Sequence, residues 1–549
     1  MELSFLILNI IIFTIGLGAI ALAIYLILRI KRLEEGNEDM KNIASAIREG
    51  AFAYLKREYF YIMIIAVILA IVFYFTIDRL YNWFPYTLIS FVVGTVSSIF
   101  CGFMGMYIAT LSNVRTAEGV KKSLDNGFKI AFNGGAVLGL FIMGIGLIGI
   151  FGLYNLYNLI GDGNPVYLSG YGFGGSLVCI FSRVGGGIYT KSADMGADLV
   201  GKIEKGIPED DPRNPGVIAD NVGDIVGDCV GMSADLFESL TITLIVAMII
   251  AFDPNIVLAM IPSPIPGLEL IYKLDALYFA NLVVCTGIVA FIIVIIVINK
   301  LFKGDKPIKT INNGLIISGL ISMVFFGSFA YSMLGGFGVR NIKLWGMLDV
   351  AMPIWLGVFL SGLLGLVVAI IVSINTNYFT SGNHKPAKEI AKAGETGPAT
   401  NVLKGYSTGL KSITIPAIMV SIAIIFAHEL AGLFGIALSS LGLLSLTGII
   451  QAIDAFGAIS DNAGGIVEMS GLDEYRSKTD ILDEAGNTTA ANAKGFAIIS
   501  SGLVALATIG AIIDSTIVTH YTKIALNNPF PIAGLMIAAR VPFMFSAFL

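Results

Sequence analysis

Charge is scarce in this 549-residue chain: Asp, Glu, Lys and Arg make up 13% of it, against about 25% in an average soluble domain. With 56% hydrophobic residues and a mean hydropathy of +0.83, the chain is neither a soluble globule nor a disordered one. A net charge of −5 offers no basic face for nucleic acid. The four cysteines, Cys101, Cys179, Cys229 and Cys285, lie far apart in apolar runs and form no CxxC pair. They read as small buried hydrophobes. Three scattered histidines, His384, His428 and His520, argue against a zinc site.

Apolar runs are what the chain has in abundance. A membrane-crossing helix needs about 20 mostly apolar residues. Runs near 3–28, 59–77, 86–111, 130–153, 168–190, 217–251, 275–299, 311–334, 353–379, 412–430, 432–460, 490–518 and 530–549 predict about thirteen spans. The expectation is an all-α polytopic membrane protein forming one domain, 1–549. The first run is too long for a cleaved signal, and its positive charges, Arg29, Lys31 and Arg32, follow it. Alternate connecting segments hold 28 Lys and Arg against 5 in the others. By the positive-inside rule the N-terminus is outside and the lysine-rich connections are cytoplasmic.

The few acids are bunched. Residues 194–238 hold 11 Asp and Glu and residues 454–484 hold 8, so 19 of 39 fall in 76 residues. In the first segment, 183–238, Lys191, Asp194, Asp198 and Lys202 step by 3, 4 and 4. A proline-broken loop follows, then Asp220, Asp224 and Asp228 at intervals of 4, with Asp235 seven residues later. Each set falls on one helix face. Carboxylates stacked at i, i+4 and i+8 repel, and hard divalent cations offset that repulsion; Mg²⁺ takes carboxylate oxygens and keeps waters that phosphate can replace. The second segment, 454–495, repeats the chemistry: Asp454 and Asp461 are 7 apart, and Asp480, Asp483, Asn487 and Lys494 step by 3, 4 and 7. Lysines among the aspartates suit phosphate oxygens. An ordinary solvated charged face explains same-sign stacking poorly.

Two nucleotide motifs are decoys. Gly196 to Lys202 imitates a phosphate-binding loop, but Ile203 replaces the required Ser or Thr and no strand precedes it. Asp305-Lys306 begins like a phosphorylation motif of ion-pumping ATPases, and Pro307 ends the likeness. Asp235 and Glu238 lie deeper along their span, among Leu236, Phe237 and Leu240. Ionisable groups at such depth mark an ion path, with Arg183 on the neighbouring span as a partner.

The runs VGGGIYTKSADMGADLVGKIEKGIPEDDPRNPGVIADNVGD, ISDNAGG and AGNTTAA resemble the signatures of the membrane-bound, ion-translocating inorganic pyrophosphatases. The resemblance implies hydrolysis of Mg²⁺-pyrophosphate coupled to pumping Na⁺ or H⁺ out of the cytoplasm. It implies a homodimer in which each subunit has an inner ring of helices inside an outer ring. Asp194, Asp198, Glu209, Asp220, Asp224, Asp461, Asp483 and Asn487 would hold Mg²⁺ or its waters. Lys191, Lys202 and Lys494 would meet the phosphates, and Asp228 would deprotonate the attacking water. Arg183, Asp235 and Glu238 would form the coupling channel and gate. Glu238 follows Asp235 by three, and Ala490 and Ala493 stand where K⁺-independent members carry Lys and Thr. The pair of features resembles the K⁺-dependent, Na⁺-pumping type. The family has about sixteen spans and a third acidic segment near its C-terminus; ending at RVPFMFSAFL, this chain is expected to be C-terminally truncated, which makes activity of the 549 residues alone doubtful. The competing expectations are a proton or mixed pump, a secondary cation transporter using the same carboxylates without hydrolysis, and an inactive fragment. Location in a prokaryotic plasma membrane is expected.

Overall fold

The computed structural model describes all residues except 1, 82–83, 209, 254–255, 258–259, 262–263, 345–347, 515–528 and 549. In chain order the helices are α1 (Glu2–Lys31), α2 (Glu38–Phe73), α3 (Tyr86–Lys122), α4 (Leu124–Ile160) and α5 (Ser169–Asp198). The helix α6 (Gly216–Phe252) follows, then α7 (Glu269–Lys300) and α8 (Pro307–Leu334). After a hairpin come α9 (Ile354–Thr380), α10 (Lys385–Gly394), α11 (Pro398–Ser412), α12 (Thr414–Leu444), α13 (Thr447–Met469), α14 (Arg476–Asp514) and α15 (Pro529–Phe548).

Helix length carries the first structural message. The 37 residues of α3, α4 and α6 make rods about 55 Å long at 1.5 Å per residue, where the hydrocarbon core is about 30 Å thick. About 25 Å of each rod is therefore left over to project beyond the hydrocarbon core, and the start of α6 carries Asp220, Asp224 and Asp228. Ten helices or helix pairs among the described residues are long and apolar enough to span. The difference from thirteen has a physical basis. Residues 168–190 are too rich in glycine to score as apolar, and the stretch Pro398–Met469 counts once although it holds two spans. The last span falls partly on undescribed positions.

The two spans part where the sequence suggests. Ala431 and Gly432 leave helical geometry (φ −148° and +61°). A Cβ on Gly435 would strike the carbonyl oxygen of Ala427, eight residues away, about 12 Å along an unbroken helix. The chain therefore reverses at Ala431–Gly432.

Layering follows burial. The apolar stretches of α4, α6 and α7 are mostly inside, whereas that of α2 is almost wholly exposed, with Ile64, Val67, Ile68 and Ile71 outward as expected for a lipid face. The core contact between α4 and α13 is close enough that a Cβ on Gly135 or Gly139 would collide with the carbonyls of Ala452 or Gly448. Small residues allow such approach between membrane helices. At the end of α2, Asp78 is fully buried and accepts the backbone N–H groups of Thr87 (3.1 Å) and Leu88 (3.0 Å), capping α3. The all-α expectation needs one small amendment: Val339–Leu344 and Leu348–Pro353 pair antiparallel, Arg340 opposite Met352 and Ile342 opposite Val350. This hairpin caps the end opposite the acidic projections.

Candidate active site

The first wall of the site is set by the contact of α5 with α6. Thr190 donates from Oγ1 to the carbonyls of Gly186 (2.8 Å) and Gly223 (2.6 Å). Gly223 and Gly227 face Thr190 directly, so the two backbones nearly touch. That contact brings Lys191 and Asp194 on α5 opposite Asp220, Asp224 and Asp228 on α6. Residues Ile225–Gly231 form a π turn containing Asp228. Such insertions are frequent at functional sites, and this one breaks the 3.6-residue phase on which a common face for Asp228 and Asp235 depends.

The second wall comes from α13 and α14. Thr489 Oγ1 donates to the Ile453 carbonyl at 3.0 Å, and Asn462 Nδ2 on α13 donates to the Asn221 carbonyl on α6 at 2.9 Å. The walls enclose a cavity of about 330 Å³, at the lower end of small-ligand sites, about 300–1,000 Å³. Lining it are Lys191, Asp194, Asp220, Asp224 and Asp228 from the first segment and Asp461, Asp483, Asn487, Ala490 and Lys494 from the second. Ten residues singled out in the sequence therefore meet in one place. Lys494 Nζ lies 3.1 Å from Asp228, Lys191 Nζ 2.9 Å from Asp194, and Asn487 Nδ2 donates to Asp483 at 3.0 Å.

Other expected site residues lie elsewhere. Asp198 and Lys202 are outside the lining and pair with each other at 2.8 Å: Asp198 ends α5 one turn beyond Asp194, and Lys202 lies in the π turn that follows, Leu199–Lys205. Ala493 is buried in the helix packing and does not reach the cavity. Glu209 lies outside the described residues. Asp480 is exposed and pairs with Arg476. Asp454 is wholly buried beneath the cavity, and its carboxyl oxygens find no hydrogen-bond partner among the described residues.

Two lining groups escaped sequence reasoning. Asp210 adopts φ +58° and pairs with Arg476 at 2.8 Å; Arg476 also donates to the Gly464 carbonyl at 3.0 Å. The pair ties the proline-rich loop to α13 and α14 across the mouth. Its neighbour Asp211 braces the loop instead: Arg213 donates to it from Nε (2.8 Å) and from its backbone N–H (2.9 Å), and the guanidinium holds this carboxyl down at about 2.

Deeper along α6, Asp235 pairs with Arg183 of α5 at 3.3 Å, and Ser176 donates to Glu238. The expected partnership of Arg183 and Asp235 is thus present. Cys179, read as a plain hydrophobe, instead puts its sulfur within 4.8 Å of both carboxylates.

Seven aspartates and three cations line one cavity. The donors are oxygen, without His or Cys, as a hard divalent cation requires. The excess of carboxylate over lysine and arginine needs several positive charges to balance it, so the residues present fit Mg²⁺. Fold and site together define a polytopic membrane protein carrying an acidic, lysine-flanked cavity whose oxygen donors suit a hard divalent cation.

Residues 17–549 match the family described as inorganic H⁺ pyrophosphatase. The chain belongs to that family, whose members are membrane-bound, pyrophosphate-energised ion pumps. Among its relatives is a K(+)-insensitive pyrophosphate-energized proton pump of Moorella thermoacetica, 38% identical over 97% of this chain and 75% of its own length. Another, from Clostridium tetani, is provisionally named a K(+)-stimulated pyrophosphate-energized sodium pump and is 40% identical over 98% and 74%. A third, a K(+)-insensitive pyrophosphate-energized proton pump of Methanosarcina mazei, is 39% identical over 97% and 74%.

Proposed function

We propose that the protein hydrolyses Mg²⁺-pyrophosphate to two phosphates and uses the reaction to move Na⁺ out of the cytoplasm. The observation that carries the hydrolytic part is the convergence of both acidic segments on one cavity, with lysines from each wall. Asp194, Asp220, Asp224, Asp461, Asp483 and Asn487 would hold Mg²⁺ there. When bound, the ions neutralise the diphosphate and stabilise the leaving phosphate. Lys191 and Lys494 supply point charges for the phosphate oxygens. Asp228 lies between the metal-binding carboxylates and Lys494, where a carboxylate can take the proton of an attacking water. Asp198 and Lys202 lie just beyond the lining; with Glu209 they are assigned as further groups, Asp198 and Glu209 toward Mg²⁺ and Lys202 toward phosphate.

The ion-coupling part rests on Arg183, Asp235, Ser176 and Glu238, a polar set about two to four turns below the cavity lining and within the membrane. The Na⁺ preference and K⁺ activation rest on the position of Glu238 and on Ala490 and Ala493. Homodimer assembly, a prokaryotic plasma membrane and an outside N-terminus complete the reading. The second reading is proton transport, favoured by the two relatives named as proton pumps. Inverted membrane vesicles separate the two. Pyrophosphate-driven uptake of radioactive Na⁺ that resists a proton uncoupler is expected. Acidification of the vesicle lumen without Na⁺ uptake would reassign the ion.

A further inference from the structure

A second, unassigned cleft lies at the lysine-rich end of the bundle and borders α14, the helix that also lines the acidic cavity. Two hollows meet there, of about 490 Å³ and 370 Å³, and share Asn312, Asn377 and His384. The larger is of mixed polarity and opens between the start of α8 and the end of α9, where Lys306 and Lys309 line it. The smaller continues into the apolar zone between the same helices, walled by Leu315, Ile316, Ile370 and Ile374. From Asn377 to Ile370 is seven residues, so this limb runs about 10 Å down the bundle. Tyr378 marks the border, its ring 5.4 Å from that of His384, at the level where amphipathic aromatics collect in membranes.

We propose that this cleft binds an anionic phospholipid with a hydroxyl-bearing headgroup, of the phosphatidylglycerol type. The two-part shape matches one acyl chain leading to one headgroup. The connection 300–309 carries Lys300, Lys303, Lys306 and Lys309 against one acid, Asp305. Lys385 stands next to His384 at the same rim. Basic pockets between spanning helices recognise acidic headgroups, and lysines near the membrane surface attract anionic lipid. Asp305 and Glu484 also line the mouth. Carboxylates repel a bare phosphate but accept hydrogen bonds from a glycerol headgroup, which favours the lipid over inorganic phosphate. The floor of the mouth is Ile481 and Glu484 of α14, and Glu484 is the neighbour of Asp483 in the acidic cavity. A lipid in this position would therefore bear on the helix that builds the second wall.

The test is native mass spectrometry of the full-length protein released from membranes of phosphatidylcholine with one-fifth phosphatidylglycerol. The wild type is expected to retain phosphatidylglycerol in preference to phosphatidylcholine. Retention should fall at least fivefold in Lys306→Glu with Lys309→Glu, which removes the charge. It should fall equally in Ile374→Trp, which fills the apolar limb at an exposed position. Phosphatidylcholine retention should not change in either. Wild-type retention in both variants would overturn the proposal. If the lysine pair matters and Ile374→Trp does not, or if millimolar inorganic phosphate displaces the lipid, the mouth is a phosphate site and the lipid assignment fails. A fall in dimer content with lipid retention unchanged would assign the groove to a second copy of the chain instead.

Discussion

Replacing Gly223 by alanine tests whether the acidic cavity depends on how closely α5 and α6 approach. A Cβ at Gly223 would lie 2.9 Å from Thr190 Cα, whereas non-bonded carbons rest at about 3.5–4.0 Å. The helices must therefore part by about 0.6–1.1 Å. The clash is with backbone, so no rotamer change at Thr190 relieves it. Overpacking of this kind costs about 1–3 kcal/mol in stability. The displacement passes straight to the site, because Thr190 precedes Lys191 and Gly223 precedes Asp224. A shift near 1 Å between groups that must act together costs about 100-fold in rate. Phosphate release from pyrophosphate by the full-length protein is expected to fall by about 30–100-fold while the protein still folds. The control is Gly18→Ala, whose added Cβ meets nothing within 4 Å and which should keep the wild-type rate. A folded Gly223→Ala variant within twofold of wild type would refute the argument that this contact sets the site.

Arg476→Ala removes both ion pairs at the mouth. Loss of a buried pair costs about 3–5 kcal/mol, and the guanidinium is 27% exposed, so about 2 kcal/mol is the expected loss; thermal unfolding in detergent reads it, with Arg476→Lys in between. Chelation of Mg²⁺ is expected to stop phosphate release and lower the unfolding temperature, since seven carboxylates then face only three cations; hydrolysis that survives chelation would contradict the metal assignment. Ala490→Lys places an ammonium on the cavity wall and is expected to abolish stimulation by K⁺, measured as hydrolysis with and without the ion. Stimulation that persists would detach Ala490 from that role.

The spans were legible because apolar runs of bilayer length have few other uses, and even the reversal at Ala431–Gly432 fell between two of them. The walls were legible because Asp220, Asp224 and Asp228 repeat at helical spacing, a pattern that a surface helix does not favour. What periodicity could not reach follows from its own assumption. Extrapolating a 3.6-residue repeat carried Asp198 and Lys202 into the site, whereas the cavity ends before Asp198, at the end of α5, and the π turn Leu199–Lys205 changes the phase of Lys202. The same assumption put Asp235 on the face of Asp228, across the π turn Ile225–Gly231. Arg476 and Asp210 are 266 residues apart and belong to no repeat, so nothing local announced their pairing. Cys179 looked like filler because its neighbours in the chain are apolar; its carboxylate neighbours come from another helix. The hairpin at 339–353 was missed among longer apolar signals.

The central claim is that one cavity, with Asp228 as its base, cleaves pyrophosphate. Phosphate release by purified full-length protein with Mg²⁺ and pyrophosphate, wild type beside Asp228→Asn, tests it most directly. The wild type should yield two phosphates per pyrophosphate, and the variant should fold normally and turn over at least about 100-fold more slowly. A folded Asp228→Asn protein that hydrolyses pyrophosphate at the wild-type rate would contradict the account.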